Sequence, residues 1–129
     1  MPEPLPKGPL VRPRRLRVSA DLRRMLQRVT IRRSDVIVPV FVTVGRGVRK
    51  EVASMPGVFQ MSVDVAADWL AARAEQGFGA YLAFGVIERA QKDSTGSPAL
   101  DTDNVVCRLL RETGTRKLRM LGVTDLCFC

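Results

Sequence analysis

Residues 124–129 read TDLCFC, and no other stretch of the chain is better equipped for chemistry. On an extended strand successive side chains alternate faces, so Asp125, Cys127 and Cys129 form one row, with Leu126 and Phe128 on the opposite side. Two cysteines so placed stand roughly 6–7 Å apart at Cα, a long span for a disulfide. Two thiolates leaning from one face suit a shared tetrahedral metal ion better. Zinc needs three protein ligands in a catalytic site and four in a structural one, whereas the chain offers one further cysteine, Cys107, and no histidine. The pair is therefore part of a metal site at most. Against this, a Cys-x-Cys pair on an apolar strand is more often buried packing than ligand. Cys107, beside Val106 on a helical stretch, reads as packing, and Asp125 reads equally as a strand end or a functional carboxylate.

The elements that must hold this row follow from periodicity. VIVPVFVTV (36–44) and GAYLAFGVI (79–87) are apolar, partly β-branched runs of the kind found in strands buried on both faces, and LRMLGVTDLCFC (118–129) is a third strand. Pro39 cannot donate to a ladder, so pairing should begin after it or leave it at a free edge. SMPGVFQMS (54–62) predicts a turn centred on Pro56-Gly57 with short extended flanks. VDVAADWLAARAEQ (63–76) is a helix with Ser62 as its cap, Asp64 in its first turn, a stripe of Ala66, Leu70 and Ala74, and Gly77 as its stop. Past the polar loop ERAQKDSTGSPAL (88–100), Asp101 opens another helix with Val105, Val106, Leu109 and Leu110 inward and Gly114 as the stop. Strands alternating with amphipathic helices build right-handed βαβ units on a parallel sheet. Three such strands form either a small open sheet or the start of an eight-stranded barrel.

The 129 residues, 46% apolar, suffice for one modest core. The net charge of +8 is unevenly spread. Residues 1–35 hold ten Lys or Arg against three acids, and residues 36–129 hold eleven against ten. A proline-rich leader over 1–13 and a short amphipathic helix in SADLRRMLQRVT (19–30), capped by Ser19, make up this basic arm. A body that read nucleic acid would carry the charge itself and add aromatic stacking residues. No apolar run is long enough to span a membrane, and the N-terminus has no secretory pattern. Three cysteines, an odd count, argue against an oxidised secreted scaffold. These features predict a cytoplasmic chain with reduced thiols.

Taken in order, RRLR (14–17), SADLRRML, DVIVPVFV, SMPGVFQMS, FGVI followed by KDSTGS, and TDLCFC resemble the N-terminal part of the porphobilinogen synthase (δ-aminolevulinic acid dehydratase) family, over residues 14–129. The resemblance implies an α/β fold, the first three strands or so of a (β/α)₈ TIM barrel over 36–129, preceded by an extended, partly helical arm over 1–35. It implies condensation of two 5-aminolevulinate molecules to porphobilinogen, with loss of two waters, in tetrapyrrole and haem biosynthesis. It implies a homo-oligomer, octamer-like, held through the arm. In the zinc-dependent branch a strand ending in Asp-x-Cys-x-Cys supplies two of three cysteine ligands, which Cys127 and Cys129 match. It leaves magnesium open as a further ion. The family's two Schiff-base lysines lie later in the barrel, and this chain has no lysine after Lys117. Lys92 matches a loop motif and is not one of them, and Pro98 stands where many members have Glu.

The expectation is thus a fragment of the enzyme, inactive alone and marginally stable because an incomplete barrel leaves bare edges and an uncovered face. Two readings from other classes rank below it. A basic nucleic-acid-binding protein would use the arginine-rich arm, and a noncatalytic interaction module would dock on intact subunits through it.

Overall fold

The computed structural model describes residues 14–126, and Cys127 and Cys129 lie outside the described residues. The chain divides into two compact units, Met1–Thr30 and Ile31–Cys129.

In the first unit helix α1 spans Ala20–Met25 and starts as predicted, with the Ser19 hydroxyl accepting the Leu22 N–H at 3.1 Å. The apolar pattern predicts helix through Val29, but the chain turns out at Leu26. The Gln27 side-chain amide there donates to the Val29 carbonyl and supports a turn instead.

In the second unit the order is β1 (Ile37–Thr43), β2 (Arg49–Glu51), β3 (Phe59–Ser62), α2 (Val63–Glu75), β4 (Ala80–Val86), α3 (Ser97–Leu100), α4 (Val105–Thr115) and β5 (Leu121–Thr124). One open sheet runs β2-β3-β1-β4-β5. Strands β3, β1, β4 and β5 are parallel, and β2 joins β3 antiparallel as a hairpin. The hairpin loop closes as predicted. Val58 N–H donates to the Met55 carbonyl at 3.0 Å around Pro56 and Gly57, and Gly57 takes the positive φ of 80° that a type II turn requires.

Strand β1 pairs β4 along its whole length, Pro39 included, opposite Leu82. It pairs β3 only from Phe41 to Thr43. Pairing on one flank therefore begins after Pro39, as its missing N–H requires, while the other flank tolerates it. Burial along β1 alternates: Val38, Val40 and Val42 are buried, whereas Ile37 and Pro39 are exposed. The sequence predicted burial on both faces. Helices α2 and α4 cover one face only, and their Ala66, Ala67, Leu70, Val105 and Leu109 pack on Val40, Val42, Tyr81 and Ala83.

Both covering helices end in the same way. At the end of α2, Phe78 N–H reaches the Arg73 carbonyl (3.2 Å) and Gly77 N–H the Ala74 carbonyl (2.9 Å), with Gly77 at φ 91°. This is a Schellman stop at the predicted glycine. At the end of α4, Leu118 N–H reaches Thr113 (3.1 Å) and Lys117 N–H reaches Gly114 (3.0 Å), with Lys117 at φ 53°. The stop is Lys117, three residues past the predicted Gly114. The start of α4 moves too. Asn104, not Asp101, is its cap, and its side-chain oxygen accepts the N–H groups of Val106 and Cys107 at 3.0 and 2.9 Å. Ser62 occupies the cap position of α2 but bonds elsewhere. Its hydroxyl accepts the Val48 N–H (2.9 Å) and donates to Asp64 (2.5 Å), tying the loop after β1 to the start of α2.

Candidate active site

The parallel strands all end on one side of the sheet, and there a cleft of about 980 Å³ opens. In parallel α/β architectures this is the end where loops, rather than packed helices, meet the ligand. Its floor is the uncovered face. Phe41 of β1 and Phe84 of β4 are register partners, and their rings stack at 5.2 Å between centroids and 22° between planes. Gln60 stands opposite Phe41 on β3 and lines the same cleft. On the far flank β5 continues its pairing beyond Thr124, with Asp125 N–H donating to the Ala83 carbonyl at 3.3 Å. Strand alternation puts Asp125 on the face of Leu121 and Val123, the same uncovered face, and it too lines the cleft.

The wall is the loop after β4, residues 87–104. Asp93 organises it by accepting the N–H groups of Thr95 and Ser97, each at 3.0 Å, together with both their hydroxyls. The Ser97 hydroxyl and N–H, then those of Thr95, hold the Asp93 carboxyl down at about 2, against an ordinary 3.8. Its hydrogen-bonding capacity is spent on the loop, so Asp93 shapes the cleft rather than acting as a base. Asp64 is lowered likewise, first by the Ser62 hydroxyl and then by the Gly47 N–H at 2.9 Å. It fixes the loop that follows β1.

Of the residues singled out in the sequence, Asp125 falls in the cleft and Cys107 is half-buried on its α4 wall. Cys127 and Cys129 lie outside the described residues. Among the described residues no three His, Cys, Asp or Glu side chains come together as a metal site. Sequence reading passed over Phe41, Phe84 and Gln60. A signal for them existed, since Phe41 and Phe84 fall on the alternate positions to Val40 and Ala83, but it emerges only once strand register is known.

An open, mostly parallel sheet with helices on one face, a bare apolar second face, and a cleft at the carboxyl ends of its parallel strands defines the front part of a βα barrel. The family model "Delta-aminolevulinic acid dehydratase" matches residues 10–129, and the chain belongs to that family. It is 39% identical to the delta-aminolevulinic acid dehydratase of Helicobacter pylori over 117 residues, 90% of this chain and 36% of the relative. It is 42% identical to that of Synechococcus elongatus over 121 residues, 94% of this chain and 36% of the relative. The crystal structure of the Toxoplasma gondii delta-aminolevulinic acid dehydratase (porphobilinogen synthase), in complex with the reaction product porphobilinogen, superposes with a TM-score of 0.74 at 21% identity. That superposition covers 92% of this chain and 33% of the other. The fold is thus part of the barrel of that enzyme, and the sheet is not closed. The chain spans about a third of the length of each of these three relatives.

Proposed function

We propose that these residues form the front part of a porphobilinogen synthase, which joins two 5-aminolevulinate molecules with loss of two waters in tetrapyrrole biosynthesis. The match to the family over residues 10–129 supports the reading above all. The chain's part is to build one side of the site. Phe41 and Phe84 supply a dry floor that strengthens polar contacts above it. The loop pinned by Asp93 supplies a wall, and Asp125 supplies a carboxylate suited to hold a substrate ammonium or a proton. Cys127 and Cys129 would give two thiolates to a zinc ion completed by a ligand outside these 129 residues, and zinc there would polarise a carbonyl as a Lewis acid. Schiff-base catalysis needs a lysine with a depressed pKa. We place those lysines outside this chain, whose own are Lys7, Lys50, Lys92 and Lys117. The basic arm serves homo-oligomer assembly, octamer-like, and the enzyme is cytoplasmic. No described helix is long and apolar enough to cross a membrane.

The test follows porphobilinogen formation from 5-aminolevulinate. The 129-residue chain alone is expected to show none. A chimera in which residues 10–129 replace the matching third of the Helicobacter pylori relative is expected to turn over with zinc, and to lose at least 100-fold when Cys127 and Cys129 become Ala. A folded, zinc-loaded chimera that makes no porphobilinogen beside an active parent would sink the assignment.

A further inference from the structure

The sheet has two edges, and they are finished differently. At one end stands β2, three residues long and antiparallel to its neighbour, with Arg49, Lys50 and Glu51 all exposed. Short, charged edge strands of this kind resist pairing with another chain. At the other end stands β5, Leu121–Thr124, which carries no charged side chain and, among the described residues, pairs with β4 alone. Its Leu121 is exposed, and strand alternation sets Leu121 and Val123 on the bare face of the sheet. A further length of unpaired backbone lies on β1. Strand β3 takes the far flank of β1 only from Phe41 to Thr43, so among the described residues Ile37–Val40 has no strand beside it there. The helix side, by contrast, asks for nothing more. Its core is filled by α2 and α4, and among the described residues no buried side-chain nitrogen or oxygen lacks a hydrogen-bond partner.

We propose that the β5 edge, the Ile37–Val40 flank of β1 and the bare face between them form one docking surface, which accepts, with no covalent link, a second polypeptide bearing the rest of the family's barrel. The association rests on the fold, and only restored turnover rests on the function proposed above. Three observations choose this occupant. The unguarded backbone sits at both ends of the parallel run β1-β4-β5, where an eight-stranded barrel admits its remaining strands. The face between those ends is apolar, from Ile37 through Phe41 and Phe84 to Leu121, as a barrel interior packed with side chains requires. Finally, about two-thirds of the Helicobacter pylori relative and of the Toxoplasma gondii structure lies outside the match to this chain, enough for those strands and their helices. A second copy of this chain fits worse. Joined two-fold through β5, it would only lengthen the sheet and leave both bare faces uncovered, with a charged β2 still at each outer edge.

The test co-expresses the 129-residue chain, tagged, with the untagged part of the Helicobacter pylori relative that follows its match to this chain. The two are expected to co-purify in equal amounts, and to form porphobilinogen from 5-aminolevulinate when zinc is supplied. Leu121→Lys and Ile37→Lys carry the decision. Both positions are exposed in this chain, so the urea midpoint of the chain alone should stay where it is. In the complex each lysine would be buried without a partner, and capture is expected to fall at least about tenfold. Lys50→Glu, on the guarded edge, is expected to leave capture unchanged. Failure of the wild-type chain to capture the second polypeptide overturns the proposal. So does capture that survives both lysine substitutions, or a homodimer that excludes the second polypeptide. Capture without porphobilinogen, lost in the two lysine variants, sustains the docking surface and counts against the reaction proposed above.

Discussion

The two faces of the sheet are built on different rules. On the helix side every inward position of β1 is valine: Val38, Val40 and Val42 are buried, and Val40 and Val42 pack with alanine, leucine and valine from α2 and α4. Tyr81, the one polar-tipped side chain in that core cluster, has its hydroxyl paired with Thr113 at 2.8 Å. On the other side the same strands present Ile37 at 53% exposure, Pro39, the two stacked phenylalanines and Leu121 at 68% exposure. There the order lies at the strand ends, where carboxylates such as Asp93 and Asp64 hold loops through hydrogen bonds. One face carries stability by packing. The other keeps its apolar surface available, and the family match gives the reason: in a barrel that face is the interior.

The sharpest way to break this contrast is to truncate one side chain on each face. Leu70→Ala and Leu109→Ala remove fully buried side chains and are expected to cost about 3 kcal/mol each, by lost transfer energy and residual cavity. Ile37→Ala is expected to cost within about 0.5 kcal/mol in this chain, as exposed substitutions do. Urea denaturation monitored by circular dichroism separates the two. Comparable losses on both faces would mean that the open face is covered, by self-association for instance. Repeating Ile37→Ala in a protein with the barrel completed should raise its cost to that of a core position.

Much of this arrangement is legible in the sequence, because period and punctuation follow directly from local chemistry. The Pro56-Gly57 turn, α2 and its Gly77 stop, and the alternation of strand and helix were all readable. What escaped depends on partners distant in the chain. Asp101 looked like a cap, but it closes the preceding α3, and its carboxylate turns to the Asp103 N–H at 2.8 Å, leaving the cap to Asn104. Gly114 looked like a stop, yet α4 runs on so that Leu118 packs against the core. That demand forces Lys117 into the left-handed region, and only tertiary packing reveals it. Likewise Asp125 could be assigned a face from alternation, whereas the row that joins it to Phe84, Phe41 and Gln60 needed strand order and register.

The two helix stops sharpen the comparison at a smaller scale, because they terminate the helices that cover the stable face. Left-handed backbone costs an L-residue about 1 kcal/mol or more, and glycine escapes this. Lys117→Gly is therefore expected to stabilise the chain by about 0.5–1 kcal/mol, while Gly77→Ala should destabilise it by about 1 kcal/mol. Equal and opposite shifts in the urea midpoint would show that both stops are governed by backbone conformation. A null result at Lys117 would mean that its side chain offsets the strain.

The smallest effect belongs to the open side and is a pH dependence. Asp93 has a folded-state pKa of about 2 against an ordinary 3.8, so it binds protons more readily in the unfolded chain than in the folded one. Its contribution is fully present above the ordinary value and is lost as pH falls from about 4 towards 2, the direction linkage requires for a depressed carboxylate. Because Asp93 bonds only within its own loop, the loss should be local. Amide exchange at Thr95 and Ser97 is expected to rise relative to intrinsic rates across that window, while the amides of β1 and β4 keep their protection. In Asp93→Asn the two loop amides should exchange quickly at every pH, and the acid transition in the loop should disappear. If protection of β1 and β4 fell together with that of the loop, the Asp93 knot would be supporting the sheet itself, and the division between a packed face and a hydrogen-bonded rim would not hold.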